Sequence, residues 1–170
     1  YWDRVERREG GLDGVRDQAD VDVSQSFSIG DRHRVVWGGG YRWSSDEVKP
    51  LTPAMRFTPS TRRDNWLGAY FSDEVALVPA RVRLPLGAKV GRNDHTGVEV
   101  RPSARIAWTD QAGWTAWGAV SRAVRTPSRL ETALQFDDPI VAIAVAGDLE
   151  TEELLAWEAG WRGKLGPAVT

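Results

Sequence analysis

The residues with chemistry to offer in this chain are mostly arginines. Cysteine is absent and histidine is limited to His33 and His95, so disulfides, thiolate metal sites and a Ser–His–acid constellation have no defensible spacing. Both histidines fall in expected turns, where a solvated surface is the default. The arginines instead gather in polar connecting segments: Arg56, Arg62 and Arg63 with Phe57, and Arg125 and Arg129 beside Pro127. Guanidinium groups grip carboxylate-like oxygens bidentately, which suits anionic, oxygen-rich ligands. The competing reading is that such loop charges simply face water. The chemistry expected is recognition, with no enzymatic step, no cofactor and no resident metal.

A second set of charges lies inside apolar alternation. Asp20, Asp22, Arg34, Arg42, Lys89, Arg101, Arg105, Glu158 and Arg162 occupy the polar phase of two-residue repeats. In one such repeat Ala19, Val21, Val23, Phe27 and Ile29 alternate with Asp20, Asp22, Ser24, Ser26 and Ser28. After Gly30–His33 the rhythm resumes with Val35, Trp37, Gly39, Tyr41 and Trp43. Period two gives a strand one apolar and one polar face. Runs of about ten residues exceed the usual soluble strand and match a tilted strand crossing a bilayer, apolar side to lipid and polar side to a lumen. Confined charges need partners, so the polar row is expected to pair internally or with whatever fills the lumen.

Eight strands are expected, near Tyr1–Arg8, Ala19–Ile29, Arg34–Ser45, Asn65–Leu77, Val82–Asp94, Val98–Thr109, Trp114–Ala123 and Glu152–Arg162. Pro85 and Pro102 count against central ladder positions unless bulges accommodate them. The face of Trp114–Ala123 is open, because Trp114, Ala116 and Val120 compete with Trp117 and Ala119. Tight turns at Gly30–His33, Val78–Arg81 and Asp110–Gly113 alternate with long connections at Arg8–Gln18, Asp46–Asp64 and Val124–Thr151, with one short exception near Asn93–Gly97. Short turns at one end and long loops at the other are the asymmetry of outer-membrane barrels. Inside the last connection Pro139–Val145 is apolar and β-prone, as a loop hairpin or a contact with neighbouring sequence.

Composition narrows the class further. The 170 residues suffice for one domain, and a formal net charge of −2 gives no basic stripe for nucleic acid. No run approaches the roughly twenty apolar residues of a membrane helix. Nine tryptophans suit aromatic girdles at two membrane interfaces, with Trp108 and Trp114 beside a short turn and Trp43 and Trp66 beside a long one.

Four strings resemble the barrel of TonB-dependent outer-membrane receptors. Trp117-Gly118-Ala119-Val120-Ser121-Arg122-Ala123-Val124-Arg125-Thr126-Pro127-Ser128 is similar to the strand of that family ending in Arg-Ala-(Phe/Val)-Arg-(Thr/Ala)-Pro before a long outer loop. Glu158-Ala159-Gly160-Trp161-Arg162 resembles its Glu-x-Gly-x-Arg strand. Ala69-Tyr70-Phe71-Ser72-Asp73-Glu74 resembles its Gln-Asp-Glu strand, with Ser72 where Gln is usual. Pro102-Ser103-Ala104-Arg105-Ile106-Ala107-Trp108 resembles its Pro-Ser-Ala-Arg-Leu-x-Trp strand.

The resemblance implies an all-β fold: about eight meandering antiparallel strands from a plugged barrel of roughly 22. Residues 1–170 would then be a partial barrel domain, with plug, signal peptide and C-terminal strands outside them; Tyr1-Trp2-Asp3-Arg4 has neither the basic start nor the apolar core of a leader. It further implies a Gram-negative outer-membrane transporter that imports a ferric siderophore or similar bulky nutrient. The implied partners are TonB (through an N-terminal part), the protein's own plug, outer-membrane lipid and lipopolysaccharide, and the ligand; nucleic acid is not among them. Capture would fall to the outer loops, hence to Arg56, Phe57, Arg62, Arg63, Arg125 and Arg129, with a structural role favoured for the last two. Two other classes compete: a soluble Trp-rich β domain binding carbohydrate through Trp43, Trp66 or Trp117, and a small closed outer-membrane barrel. Extraction with membranes separates the first of these from the receptor reading, and a preceding plug separates the second.

Overall fold

The computed structural model describes residues 1–9, 12–50, 54–137, 142–144 and 149–163. In chain order the strands are β1 (Trp2–Glu9), β2 (Leu12–Ile29), β3 (His33–Pro50), β4 (Met55–Phe57), β5 (Thr61–Val78), β6 (Val82–Asn93), β7 (Gly97–Thr109), β8 (Thr115–Arg125), β9 (Leu134–Asp137), β10 (Ala142–Ala144) and β11 (Glu152–Arg162). One short helix, α1 (Arg129–Ala133), precedes β9. Eight strands form a single antiparallel sheet in the order β1-β2-β3-β5-β6-β7-β8-β11, and β10-β9-β4 form a second, three-stranded sheet. The large sheet is an open meander, in which each strand pairs with the next long strand in sequence.

Alternation sets the strands, and the register keeps it in phase from strand to strand. Val21, Tyr41, Leu67 and Arg92 lie in one row, as do Val23, Gly39, Ala69, Val90 and Val100. A slip of one residue would flip a whole strand, so agreement across the sheet fixes two faces. One carries Val21, Val23, Phe27, Trp37, Leu67, Phe71, Leu86, Val90, Val100, Ile106 and Trp157, all exposed. The other carries the charged row. The same register settles β8: Ala104 pairs Val120 and Trp108 pairs Ala116, which puts Ala116, Gly118 and Val120 on the apolar face and Trp117 and Ala119 on the charged one.

Several strands run longer than alternation suggests. β2, β3 and β5 each run 18 residues, so the expected long connection at Arg8–Gln18 is a hairpin, with Glu9 opposite Leu12. The connection at Asp46–Asp64 likewise shrinks to residues 51–60, within which β4 forms. The physical reason is that backbone pairing continues where the apolar phase stops. Cross-strand ion pairs replace it there, such as Arg4–Asp17 at 3.5 Å and Arg8–Asp13 at 3.9 Å. Among the described residues β1 covers only the upper part of β2, its last registered pair being Trp2 with Ala19.

Both prolines fall where the ladder is interrupted. The β6–β7 register jumps from Arg83–Ala107 to Leu86–Ala104, leaving Pro85 without a registered partner in β7. Pro102 stands one residue beyond Ser103–Ser121, the last registered β7–β8 pair. Neither position needs the N–H that proline lacks. A further shift at Ala76/Val78 lets β5 turn into β6.

Little is buried. Among the described residues the apolar core amounts to Val35, Phe57 and Ala133. Among the described residues no helix is long and apolar enough to cross a membrane, which says nothing about crossing with strands. Of the segment Pro139–Val145, residues 142–144 form β10 against β9; the rest lies outside the described residues.

Candidate functional site

The two long connections meet over one end of the large sheet. Met55, Arg56 and Phe57 of β4 pair with Phe136, Gln135 and Leu134 of β9, so loops that follow β3 and β8 become one sheet. Arg129 joins them. Its guanidinium contacts the Asp46 carboxylate and donates to the carbonyls of Pro59 at 2.6 Å and Ser60 at 2.7 Å. It also lies 5.7 Å from the centroid of the Phe57 ring, and the Thr58 N–H donates to Ala133 O at 3.1 Å. Arg129 is 13% exposed and Phe57 8%, so both belong to the clasp and not to its surface.

α1 is built from a capping box. The Ser128 hydroxyl accepts from Glu131 N, and Glu131 Oε2 accepts from Ser128 N at 2.7 Å. Arg125 then donates to Glu131 and to Glu152, at 2.5 Å each. The Arg125 guanidinium, with the Ser128 bonds behind it, holds the Glu131 carboxyl down at about 2. The sequence reading places no helix in Val124–Thr151; the box fixes the turn between Arg125 at the end of β8 and Arg129 at the start of α1.

A third cluster pins this clasp to the sheet. Arg62 donates to Asp64 at 2.9 and 3.0 Å and to Thr132 Oγ1 at 3.4 Å, and it meets His95. His95 Nε2 is 2.5 Å from Asp64 Oδ1. The same nitrogen faces a donor and an acceptor, so it gives its proton to Asp64 or receives one from Arg62, not both. In the adjoining turn Asn65 donates twice to Asp94, which lowers the Asp94 carboxyl below its usual range. Of the six expected loop residues, Phe57, Arg62, Arg125 and Arg129 are thus committed to loop architecture. Arg56 and Arg63 remain exposed and without an ion pair among the described residues.

The nine expected charges of the polar row all fall on one face of the large sheet. Asp20, Arg42, Trp66 and Asn93 form one row, and Asp22, Gly40, Gly68, Gly91 and Glu99 the next. The glycines make room: a Cβ on Gly40 would stand 2.1 Å from Asp22 Oδ1, and one on Gly68 2.2 Å from the Trp66 ring. Arg42 pairs with Asp20, which also accepts from Gln18 at 2.7 Å. Arg101 reaches Glu99 at 3.6 Å, and Arg105 reaches Glu158 at 4.0 Å. Lys89 stacks on Trp66 at 5.1 Å and Arg105 on Trp117 at 4.8 Å. Arg34 and Arg162 make no ion pair among the described residues. Trp66 and Trp117 therefore serve the charged face, and the expected place of Trp66 in an aromatic girdle is corrected; Trp43 and Trp108 lie on the apolar face.

Glu99 is the residue that sequence reasoning missed. At 8% exposed, it accepts from Thr96 at 2.5 Å and Thr126 at 3.1 Å, tying the β6–β7 turn to the exit of β8. Its only sequence signal was its polar phase in β7. On the apolar face, His33 Nδ1 lies 2.7 Å from Asp73 Oδ2 near the short-turn end.

Comparison with known proteins gives the following. The model of the family described as TonB dependent receptor-like, beta-barrel, matches residues 3–168. The solved siderophore receptor PirA from Pseudomonas aeruginosa superposes with a TM-score of 0.72 at 15% identity, covering 94% of this chain and 30% of that one. PirA from Acinetobacter baumannii superposes at 0.61 and 17%, covering 90% and 25%. At such identities the likeness is one of fold, and the chain spans less than a third of either structure. No curated protein sequence matches.

Proposed function

Because this chain belongs to the TonB-dependent receptor β-barrel family, we propose that it forms an arc of the wall of a Gram-negative outer-membrane transporter. In this reading the apolar face meets lipid and the charged face lines a lumen filled by a plug domain. The short turns face the periplasm, and the clasp of β4, β9, β10 and α1 stands on the outside. The transporter imports a ferric siderophore or a similarly bulky nutrient with energy delivered through TonB, and performs no covalent step on its cargo. Residues 1–170 are a partial barrel domain of that protein.

The observation that carries the reading is the register. From β2 to β11 of the large sheet it keeps a lipid-compatible apolar face opposite a charged face, which a soluble sandwich would have to bury. A carbohydrate platform is disfavoured because Trp66 and Trp117 are covered by Lys89 and Arg105. Within the loops, Arg56 and Arg63 are the guanidinium groups free to meet an anionic chelate. Arg62, Arg125 and Arg129 hold the loops that present them.

The test is uptake of iron-55 loaded on a panel of siderophores, in cells producing the receptor that carries these residues, with and without TonB. Accumulation of at least one complex that depends on both receptor and TonB is expected. Uptake of every complex indifferent to TonB, or a receptor recovered with the soluble fraction, overturns the proposal. Replacing Arg56 and Arg63 together by Ala is expected to weaken binding of the imported complex several-fold while leaving folding unchanged.

A further inference from the structure

The charged face is neutralised unevenly along its length. Toward the clasp the cations Arg42, Arg62 and Arg101 are paired with Asp20, Asp64 and Glu99 respectively. At the short-turn end the balance fails. Two adjoining clefts open there, sharing Ala80 and Arg83. One is lined by Arg81, Arg83 and Arg162, the other by Arg32, Arg34 and Arg83. The carboxylates lining the two clefts are Glu74, 3.4 Å from Arg83, and Asp31. Arg32, Arg34, Arg81 and Arg162 make no ion pair among the described residues. The register places Arg34 beside Glu74 and Arg162 beside Thr115, so these side chains belong to the charged face of the wall and not to its apolar side.

In an open sheet these guanidinium groups are exposed. In a closed, filled barrel they are confined with one another, where like charges repel and an unpaired cation is costly. A small anion could balance one of them, but the clefts lie side by side and present guanidinium groups from two turns and three strands. An extended polypeptide carrying several carboxylates meets that spacing, and guanidinium forks suit carboxylates bidentately.

We propose that the short-turn end of the charged face, centred on Arg34, Arg83 and Arg162, is the docking surface for an acidic segment of the domain that fills the lumen. This rests on the barrel reading above and adds to it a location and a sign: the wall is basic here, so the filling domain is acidic here. The contact also gives the wall a graded grip. Pairs near the clasp are internal to the wall, whereas the short-turn end holds the filling domain by charge.

The test uses the complete receptor in outer membranes, with Arg34→Lys and Arg162→Lys introduced singly. Both keep the positive charge and supply a primary amine. A carbodiimide, which joins an amine to a carboxylate in direct contact, is applied and the crosslinks are read by mass spectrometry. The expected result is an amide bond from each new lysine to Asp or Glu of the same polypeptide outside residues 1–170. Raising the salt concentration during the reaction is expected to reduce its yield. Crosslinks confined to Glu74, Asp31 or Glu158, crosslinks to another protein, or lysines that acetylate freely yet form no crosslink would each overturn the proposal. Heat-modified gel mobility and membrane fractionation of the same samples report on the barrel itself. A folded barrel without the crosslink removes this inference alone, whereas the absence of a folded barrel removes the reading beneath it.

Discussion

Arg129 shows how a single side chain can decide whether two loops act as one. It is nearly buried, contacts Asp46 and bonds to two carbonyls from the other loop. Removing it leaves the Asp46 carboxylate and the Pro59 carbonyl without this donor, while the Ser60 carbonyl keeps only the Val48 N–H at 2.9 Å. Hydrogen bonds to a charged donor are worth roughly 1.5–3 kcal/mol each at the upper end, so Arg129→Ala is expected to weaken the clasp by about 2–3 kcal/mol. Hydrogen exchange of the amides in β4 and β9 should quicken by one to two orders of magnitude, with the large sheet unaffected. Unchanged exchange would mean the loops are held by β pairing alone. Glu131 makes a second, pH-based case. Its carboxyl lies at about 2, held there by Arg125 and Ser128, against 4.5 for an ordinary glutamate. A depressed carboxyl stabilises the folded loop fully above its unfolded value and ceases to do so as pH falls toward its folded value. Protection of α1 should therefore hold at pH 5 and above and fade between about 4.5 and 2. In Glu131→Gln the protection should be lower at neutral pH and largely indifferent to that window.

At the scale of the strand, alternation told most of what could be told. It located the eight long strands, the short turns and the polar phase in which all nine charged residues fall. It failed in two ways, each with a cause. Strand extensions such as residues 12–18 carry charge on both faces, so period two disappears while backbone pairing persists. In β8, Gly118 and Arg122 blur the apolar phase, and only the partners Ala104 and Trp108 decide it. That decision is testable. Val120→Arg puts a charge on the lipid-facing side and should cost about 2–4 kcal/mol near mid-bilayer, whereas Ser121→Lys, one residue on, should cost far less. Similar losses for both would contradict the register. Close packing on the charged face gives a further test. A Cβ at Gly38 would lie 2.6 Å from the Tyr70 ring and 2.6 Å from the Val23 carbonyl, and the backbone contact cannot step aside. Gly38→Ala is expected to destabilise by about 1–3 kcal/mol, visible as a lower urea midpoint of the refolded protein.

For the molecule as a whole, the balance of surfaces matters more than any contact. Among the described residues Val35, Phe57 and Ala133 make a negligible core, while tryptophans, valines and leucines cover one open face. The 170-residue chain alone should aggregate or require detergent, because its two edge strands and its apolar face have nothing to cover them in water. A monodisperse sample unfolding cooperatively in plain buffer would refute this. The joining of β4 to β9 was invisible in the sequence for a related reason. It pairs segments far apart along the chain, and local pattern carries no trace of who meets whom. The helix at Arg129–Ala133 was not expected either, and nothing announced that Asp46 would meet Arg129. The clasp also has a mechanical meaning. A barrel pulled from its membrane by one end of the chain surrenders hairpins in succession, each yielding its own length. Here the loop after β8 is moored to the loop after β3, so tension entering through β11 is shared with a hairpin four strands away. The first rupture should then be tall and release several hairpins together, and cutting the mooring at Arg129 should return the force trace to even steps.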